Sequence, residues 1–179
     1  RRRGSHLMAQ KHGVLYLIPT PLGETSLETI TPKYNSQLID LIEYFIAENA
    51  KTARAFLKLA GISKPLQSLH ISELNEHTPI TALKELLVPL LAGHDVGLVS
   101  EAGCPAVADP GANLVRLAHE HQIKVVPLVG PSSILLALMA SGLNGQRFCF
   151  QGYLPANKTD RITALKQLET VSAKLKQTQ

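Results

Sequence analysis

The alternation of short apolar runs with helical stretches constrains the fold most. Three runs, VLYLI at residues 14–18, VGLV at 96–99 and IKVVPL at 123–128, each stop at a turn rich in Gly, Pro or Ser. An apolar run that ends at turn residues is typical of a strand buried on both faces, as in a parallel sheet. This pattern predicts an α/β fold with a parallel sheet. Helices are predicted at residues 51–60, 80–91, 114–121, 133–141 and 158–175.

Other elements follow from weaker patterns. A second buried strand is predicted at residues 44–48 and a short strand at residues 66–70. A helix that begins at residues 31–32 is expected to use Leu38, Leu41 and Ile42. Pro89 is expected to disturb the last turn of the helix at residues 80–91.

The predicted domain organisation has three parts. Residues 1–8 resemble an expression-tag remnant and are excluded from the fold. Residues 9–145 form an N-terminal α/β domain, and residues 146–179 begin a second α/β domain with a strand at 148–150. One strand and one helix cannot bury both of their faces alone, so this second domain is expected to be incomplete.

Charge and cysteine usage exclude several classes of protein. Of the formal net charge of +4, Arg1, Arg2 and Arg3 supply +3, which leaves the rest near +1, without a strong overall signature for nucleic acid. Cys104 and Cys149 are too few for a disulfide framework or a metal cluster, so no metal is expected. Apolar runs are too short to span a membrane. A cytoplasmic protein is therefore predicted.

Three strand exits are rich in small residues and proline: TPLG at 20–23, SEAGCP at 100–105 and GPSS at 130–133. In an open parallel sheet, ligands bind beyond the carboxyl ends of the strands. Glycine lets a backbone approach a ligand, and Ser hydroxyls and free N–H groups bind carboxylate or ribose. One such exit is an ordinary turn, but three predict a pocket for a nucleotide-like molecule.

The three exits lack the usual phosphate-binding motifs. The chain contains no GxxxxGK[ST], and no GxGxxG follows its first strand. This argues against ATP and NAD as ligands. It favours a molecule that carries adenosine without a phosphate chain, such as S-adenosylmethionine.

Five segments, in order along the chain, resemble those of the tetrapyrrole methylase superfamily. They are LYLIPTPLG at 15–23, LVSEAGCPAVADPG at 98–111, VPLVGPSS at 126–133, ASGL at 140–143 and RFCFQGYLP at 147–155. Within that superfamily, the chain most resembles the branch that methylates a ribose 2′-hydroxyl in small-subunit ribosomal RNA. That branch usually has Asp in place of Glu101 and Thr in place of Cys104.

The resemblance implies a homodimer whose protomers have two α/β domains, with S-adenosylmethionine in the cleft between the domains. It also implies that the second domain runs beyond residue 179. The residues that it places against the cofactor are Pro21, Leu22, Gly23, Ser100, Glu101, Ala102, Gly103, Cys104, Val107, Ser132 and Ser133.

Two segments depart from the branch. After its second strand the branch has an acidic-Asp-Thr-Arg stretch, whereas this chain has ENAKTAR at 48–54, in which Glu48, Thr52 and Arg54 are plausible matches. The segment SLHISELNEH at 68–77 is also altered. Both are expected on the substrate side, with Glu48 and Arg54 as candidate contacts. The differences between these two segments and those of the branch suggest a paralogue, whose substrate the sequence does not determine.

No catalytic residue is assigned from the sequence. Glu48, Glu101 and Asp109 are candidates to remove a proton from an acceptor hydroxyl, although the last two could equally serve the cofactor turn. Cys104 is expected to be a buried small residue rather than a nucleophile. Among the histidines, His70 and His77 are expected at the surface or near substrate, and His119 and His121 point to different helix faces, which disfavours a shared metal.

Three functions remain open at this point. An RNA ribose methyltransferase would carry a basic surface with Lys51, Arg54 and Lys58 beside its cleft. A methyltransferase for a small molecule or tetrapyrrole would have a deep apolar trough without a basic rim. A non-catalytic protein would bind S-adenosylmethionine without transferring its methyl group.

Overall fold

A computed structural model describes residues 11–108 and 110–179. The predicted tag remnant at residues 1–8 and the candidate base Asp109 lie outside the described residues. The chain divides into two compact units, one that ends at Pro131 and one that spans Ser132–Gln179. We call them the N-terminal and the C-terminal unit. This division lies on the N-terminal side of residue 145, where the sequence suggested a domain boundary.

A five-stranded sheet forms the centre of the N-terminal unit. All its neighbouring strands are parallel, in the order β3-β2-β4-β1-β5, which confirms the predicted α/β fold. The strands are β1 (Leu15–Ile18), β2 (Tyr44–Ala47), β3 (His70–Glu73), β4 (Val96–Val99) and β5 (Val125–Pro127).

Six helices of the described chain belong to the N-terminal unit. They are α1 (Leu27–Ile30), α2 (Lys33–Ile39), α3 (Ala50–Leu59), α4 (Ile80–Leu86), α5 (Val88–Leu91) and α6 (Gly111–Glu120). The beginning of α3 is fixed by Asn49, whose side-chain oxygen accepts hydrogen bonds from the N–H groups of Lys51 and Thr52. Gly61, with a φ of +77°, follows the end of this helix.

Apolar side chains cover both faces of the sheet, as a parallel sheet requires. One cluster joins Leu15 of β1 to Leu90 of α5 and Leu114 of α6. The other cluster joins Phe45 of β2 to Leu57 of α3. Helix α3 therefore packs in a different layer from α5 and α6.

Two predicted elements of the N-terminal unit are wrong in their extent. The helix predicted to use Leu41 and Ile42 ends at Ile39, and the Leu41 side chain is 77% exposed. The helix predicted at residues 80–91 is divided at Leu87 into α4 and α5. Because Pro89 has no N–H, it cannot donate to the carbonyl four residues earlier, and the helix is interrupted there.

Two predicted strands are also wrong. Leu66–Ser68 forms a 3₁₀ turn after Pro65, and the strand begins only at His70. The strand predicted at residues 148–150 is reduced to an isolated bridge between Phe148 and Thr178.

The C-terminal unit contains α7 (Ser133–Ser141) and α8 (Lys158–Leu175), both close to their predicted bounds. The Ser132 hydroxyl accepts a hydrogen bond from the Leu135 N–H at 3.4 Å and so caps α7. Neither helix contains a fully buried residue. Across the described residues, no helix combines the length and the apolar character needed to cross a bilayer.

Candidate functional site

The sheet order brings the three predicted strand exits side by side. Strand β1 lies between β4 and β5, with Ile18 paired to Val99 and Leu17 to Pro127. We call the segments that follow these strands the first turn (residues 19–23), the second turn (residues 100–107) and the third turn (residues 128–131). Since the strands are parallel, all three turns leave from the same edge of the sheet.

Backbone and hydroxyl hydrogen bonds join the first turn to the second. The Thr20 N–H donates to the Gly103 carbonyl and the Gly103 N–H donates to the Thr20 carbonyl, both at 3.0 Å. The Thr20 hydroxyl donates to the Ser100 carbonyl at 3.2 Å, and the Ser100 hydroxyl donates to the Gly103 carbonyl at 2.5 Å. Thr20 and Ser100 are both buried. The two turns are therefore fixed to each other from inside the protein.

The third turn is in close contact with the other two. The Cys104 thiol lies 3.3 Å from the Pro131 carbonyl oxygen, to which it donates, which fits a structural thiol rather than a nucleophile. A Cβ atom placed on Gly130 would lie 2.1 Å from Cγ of Pro19. A Cβ atom on Gly103 would lie 2.9 Å from Cδ2 of Leu22 and 3.3 Å from the Pro131 oxygen. Both glycines are needed because the turns approach so closely.

Helix α2 supports the third turn through a residue that the sequence analysis missed. The Asn35 side chain is 1% exposed, and its amide nitrogen donates to the Val129 carbonyl at 2.8 Å. Asn35 lies four residues before buried Ile39, on the same helix face. A polar residue on an apolar face was the available signal for this contact.

We expect Asn35→Ala to lower the free energy of unfolding by about 1 kcal/mol, because the variant removes the hydrogen bond from the buried Asn35 amide to the Val129 carbonyl. Denaturant unfolding followed by circular dichroism measures this change. Gln37→Ala, at an exposed position of the same helix, is the control and should change stability by less than about 0.5 kcal/mol. Equal losses of stability in the two variants would contradict the role of Asn35 in supporting the third turn.

A small cavity lies between the turns and α3. It has a volume of about 220 Å³ and is bounded by Pro21, Ser100 and Glu101 from the turns and by Thr52 and Leu59 from α3. The Thr52 hydroxyl donates to Oε1 of Glu101 at 2.9 Å. This bond gives Thr52 a role that the sequence did not assign, and it holds the carboxylate of Glu101 against the helix.

A wider trough opens beside the second turn. It has a volume of about 670 Å³, and its lining includes Glu48, Asn75, His77, Val107 and Asn113. The structure thus brings the substrate-side candidate Glu48 together with Val107, one of the predicted cofactor residues. The lining is about equally polar and apolar, which differs from the largely apolar trough expected for a tetrapyrrole.

Predicted cofactor residues differ in their accessibility. Pro21, Cys104 and Ser132 are half-buried, and only Ser100 and Gly103 are buried. Ser132 and Ser133 stand at the start of the C-terminal unit. The exposed members, which can meet a ligand directly, are Leu22, Gly23, Glu101, Ala102, Val107 and Ser133.

Several other candidates line neither the small cavity nor the trough. Arg54 is exposed on α3 and lines neither the cavity nor the trough. The ring of His70 stacks on Tyr44 with centroids 4.8 Å apart, at the amino end of the sheet. Nδ1 of His121 lies 2.9 Å from the Leu117 carbonyl oxygen. Among the described residues, no three His, Cys, Asp or Glu side chains are grouped as a metal site would require.

Backbone geometry sets the second turn apart. Ala106 has a φ of +63°, a left-handed conformation that costs a residue with a Cβ about 1–2 kcal/mol. Gly103, three residues earlier, has a φ of +69°. Such conformations cluster at ligand-binding segments, so the turn has the backbone character of a site.

Two shifted pKa values mark structural contacts rather than the turns. Burial raises the pKa of Tyr16 in β1, and the negative charge of Asp95 raises it further. Hydrogen bonds from the Ser63 N–H and hydroxyl lower the pKa of Asp40. The contribution of Asp40 to stability is therefore present above its ordinary pKa and is lost as the pH falls through the lowered value.

Comparison with known proteins identifies relatives over most of the chain. A ribosomal RNA small subunit methyltransferase I from Escherichia coli O157:H7 is 38% identical over 157 residues, which cover 88% of this chain and 52% of the relative. Proteins of the same name from Xylella fastidiosa and Halalkalibacterium halodurans are 36% and 35% identical, over 86% and 96% of this chain and 54% and 56% of their own lengths. This chain is a homologue of these methyltransferases.

The homology confirms the resemblance found in the sequence. No family model matches the chain. The chain spans about half the length of the curated relatives it matches.

Proposed function

We propose that the chain binds S-adenosylmethionine at the three turns and serves the transfer of its methyl group to a ribose 2′-hydroxyl of small-subunit ribosomal RNA. The observation that carries this proposal is that the turns after three adjacent parallel strands contact one another directly. The names of the homologues supply the reaction and the class of acceptor. The ribose hydroxyl follows from the branch that the sequence resembles.

The residues present fit this cofactor. The second turn combines a glycine in a left-handed conformation with exposed Glu101 and Ala102, and exposed Leu22 and Gly23 belong to the adjoining first turn. These small and apolar groups suit adenosine and methionine, and the turns offer no Lys or Arg for a phosphate chain. When bound, the cofactor supplies a methyl group that is already activated on a sulfonium sulfur.

The chain's own contribution is alignment. Hydrogen bonds between the first and second turns, and the close contacts of the third turn with both, hold the binding groups without help from a ligand. Reaction rates depend steeply on such alignment, because a rigid site does not have to be ordered anew in each cycle.

The acceptor side is assigned to the trough beside the second turn. Of the described carboxylates among the candidate bases, Glu101 bonds to Thr52 by the small cavity, whereas Glu48 lines the trough together with Val107. We therefore assign Glu48 to accept the proton of the acceptor hydroxyl. The amides of Asn75 and Asn113 in the same lining can bond to polar edges of a nucleotide.

Titration calorimetry with S-adenosylmethionine, followed by transfer of a tritiated methyl group to small ribosomal subunits from cells that lack the gene, tests the proposal. We expect saturable binding of the cofactor. We also expect the tritium label in RNA, in a single dinucleotide that alkaline hydrolysis does not cleave. Absence of cofactor binding would overturn the whole proposal. Binding without labelled RNA would overturn the RNA part and favour a small-molecule acceptor or a non-catalytic protein.

We expect Glu48→Gln to slow methyl transfer by about 100-fold, because removal of a positioned base commonly has effects of this size. Single-turnover transfer measures the rate, and calorimetry checks that cofactor affinity is kept. Glu76→Gln is the matched control, since it removes another carboxylate from the lining of the same trough. Similar losses in both variants would contradict the role of Glu48.

The resemblance further predicts a cytoplasmic homodimer. Light scattering of the purified protein tests the oligomeric state, and a monomer at micromolar concentration would contradict it.

A further inference from the structure

Three cations form a stripe along helix α3. Lys51, Arg54 and Lys58 are all exposed, and the ion pairs found among the described residues do not include them. We call these three residues the basic stripe. Since the net charge beyond the first three arginines is only about +1, the stripe is a local concentration of positive charge, not part of a generally basic surface.

Helix geometry puts the three cations on one side. With about 100° of rotation per residue, Lys51, Arg54 and Lys58 fall within an arc of roughly 60°. The buried residues Ala53 and Phe56 lie about 130° and 170° from the centre of this arc, where they pack into the apolar cluster of the sheet. The stripe therefore faces away from the core along its whole length.

The stripe adjoins the proposed methyl-donor site. Ala55 is the neighbour of the stripe on the helix surface, four residues after Lys51 and three before Lys58, and it lines the cavity shared with Pro21 and Ser100. Thr52 of the same helix bonds to Glu101 of the second turn at 2.9 Å. A polyanion bound along the stripe would thus lie beside the turns.

Carboxylates near α3 do not neutralise the stripe. Glu101 accepts from the Thr52 hydroxyl, and Oε1 of Glu73 accepts from the Ala50 N–H at 3.4 Å. These bonds hold both carboxylates at the first turn of the helix, and the ion pairs seen among the described residues, Lys64 with Glu43 and His77 with Glu76, do not involve the stripe.

We propose that the basic stripe binds consecutive phosphates of the acceptor RNA and directs its strand to the site. The inference rests on the proposed function and names the surface that holds the substrate. Lys51 and Lys58 lie about 10 Å apart along the helix axis, so the stripe is long enough to contact neighbouring phosphates of one strand. Guanidinium and ammonium groups are the usual partners of such phosphates.

The test compares two triple variants with the same change of charge. One is Lys51→Gln/Arg54→Gln/Lys58→Gln. The matched control is Lys84→Gln/Arg116→Gln/Lys124→Gln, whose three positions are exposed, and two of these lie on helices α4 and α6. Fluorescence polarisation with a labelled single-stranded ribosomal RNA fragment at several salt concentrations gives the affinity and its salt dependence. Calorimetry gives the affinity for S-adenosylmethionine.

We expect the stripe variant to bind RNA at least 30-fold more weakly, with a salt slope smaller by about two, since each lost phosphate contact on a single strand removes about 0.7. Its affinity for S-adenosylmethionine should stay within a factor of two, as should both affinities of the control. Equal weakening in the two triple variants, or none in the stripe variant, would overturn the inference. If the unmodified protein neither bound nor methylated RNA, the proposed function itself would fail.

Discussion

Gly103→Val is expected to lower the affinity for S-adenosylmethionine by more than 100-fold. Gly103 has a φ of +69°, and even a Cβ there would lie 2.9 Å from Leu22 and 3.3 Å from the Pro131 oxygen. The two extra methyl groups of valine must push the Leu22 side chain aside or enter the proposed pocket, and either change alters the surface offered to the cofactor. Titration calorimetry measures the affinity directly.

In this variant, the effect of backbone strain must be distinguished from the effect of filling the pocket. Gly61→Val is the matched control, because Gly61 also has a positive φ, +77°, but nothing lies within 4 Å of a Cβ placed there. Both variants carry a conformational cost of about 1–2 kcal/mol, visible in thermal unfolding. Only Gly103→Val should lose the cofactor. Undiminished affinity in that variant would show that the site lies elsewhere.

Gly130→Ala is expected to destabilise the N-terminal unit by about 3 kcal/mol, at the upper end of the usual cost of overpacking. The added Cβ would lie 2.1 Å from Cγ and 2.3 Å from Cβ of Pro19. A proline ring cannot rotate away, so the backbone of the first or third turn must move. Denaturant unfolding measures the loss of stability.

Two further variants make this result specific. Gly23→Ala, in the first turn, places its Cβ in open space and should leave stability within about 0.5 kcal/mol. In a Pro19→Gly background the cost of Gly130→Ala should fall, since the atoms that it meets are gone. An undiminished cost in that background would show that the clash with Pro19 is not the cause.

The sequence predicted those parts of the fold that local patterns determine. Strands β1, β2 and β4 are continuous apolar runs, and the ends of α3 and α7 are marked by Gly61 and Gly142. Strand β3 was misplaced because its residues His70, Ser72 and Glu73 are polar, as suits the edge of a sheet, while the apolar residues before it form a 3₁₀ turn.

The three turns were predicted from the sequence, but the bonds that connect them were not. The three turns are local motifs, so the sequence identified them. The bond between Thr20 and Ser100 joins residues 80 apart, and those of Asn35 and Thr52 join residues 94 and 49 apart. Contacts of this range depend on strand order, which periodicity does not reveal. The cations Lys51, Arg54 and Lys58 were named from the sequence, because the spacing of residues on a helix is a local property.

The position of β1 also affects how the protein is made. Leu15 leaves the ribosome early, yet it pairs with Val96 and with Val125, which is synthesised 110 residues later. At about 5–20 residues per second, an apolar strand waits about 5–20 s for its second neighbour. During that interval the unpaired apolar strand can bind chaperones or misfold. The methyl-donor pocket proposed here is therefore completed only after β5 has joined the sheet, and cofactor binding would report that the N-terminal unit is fully folded.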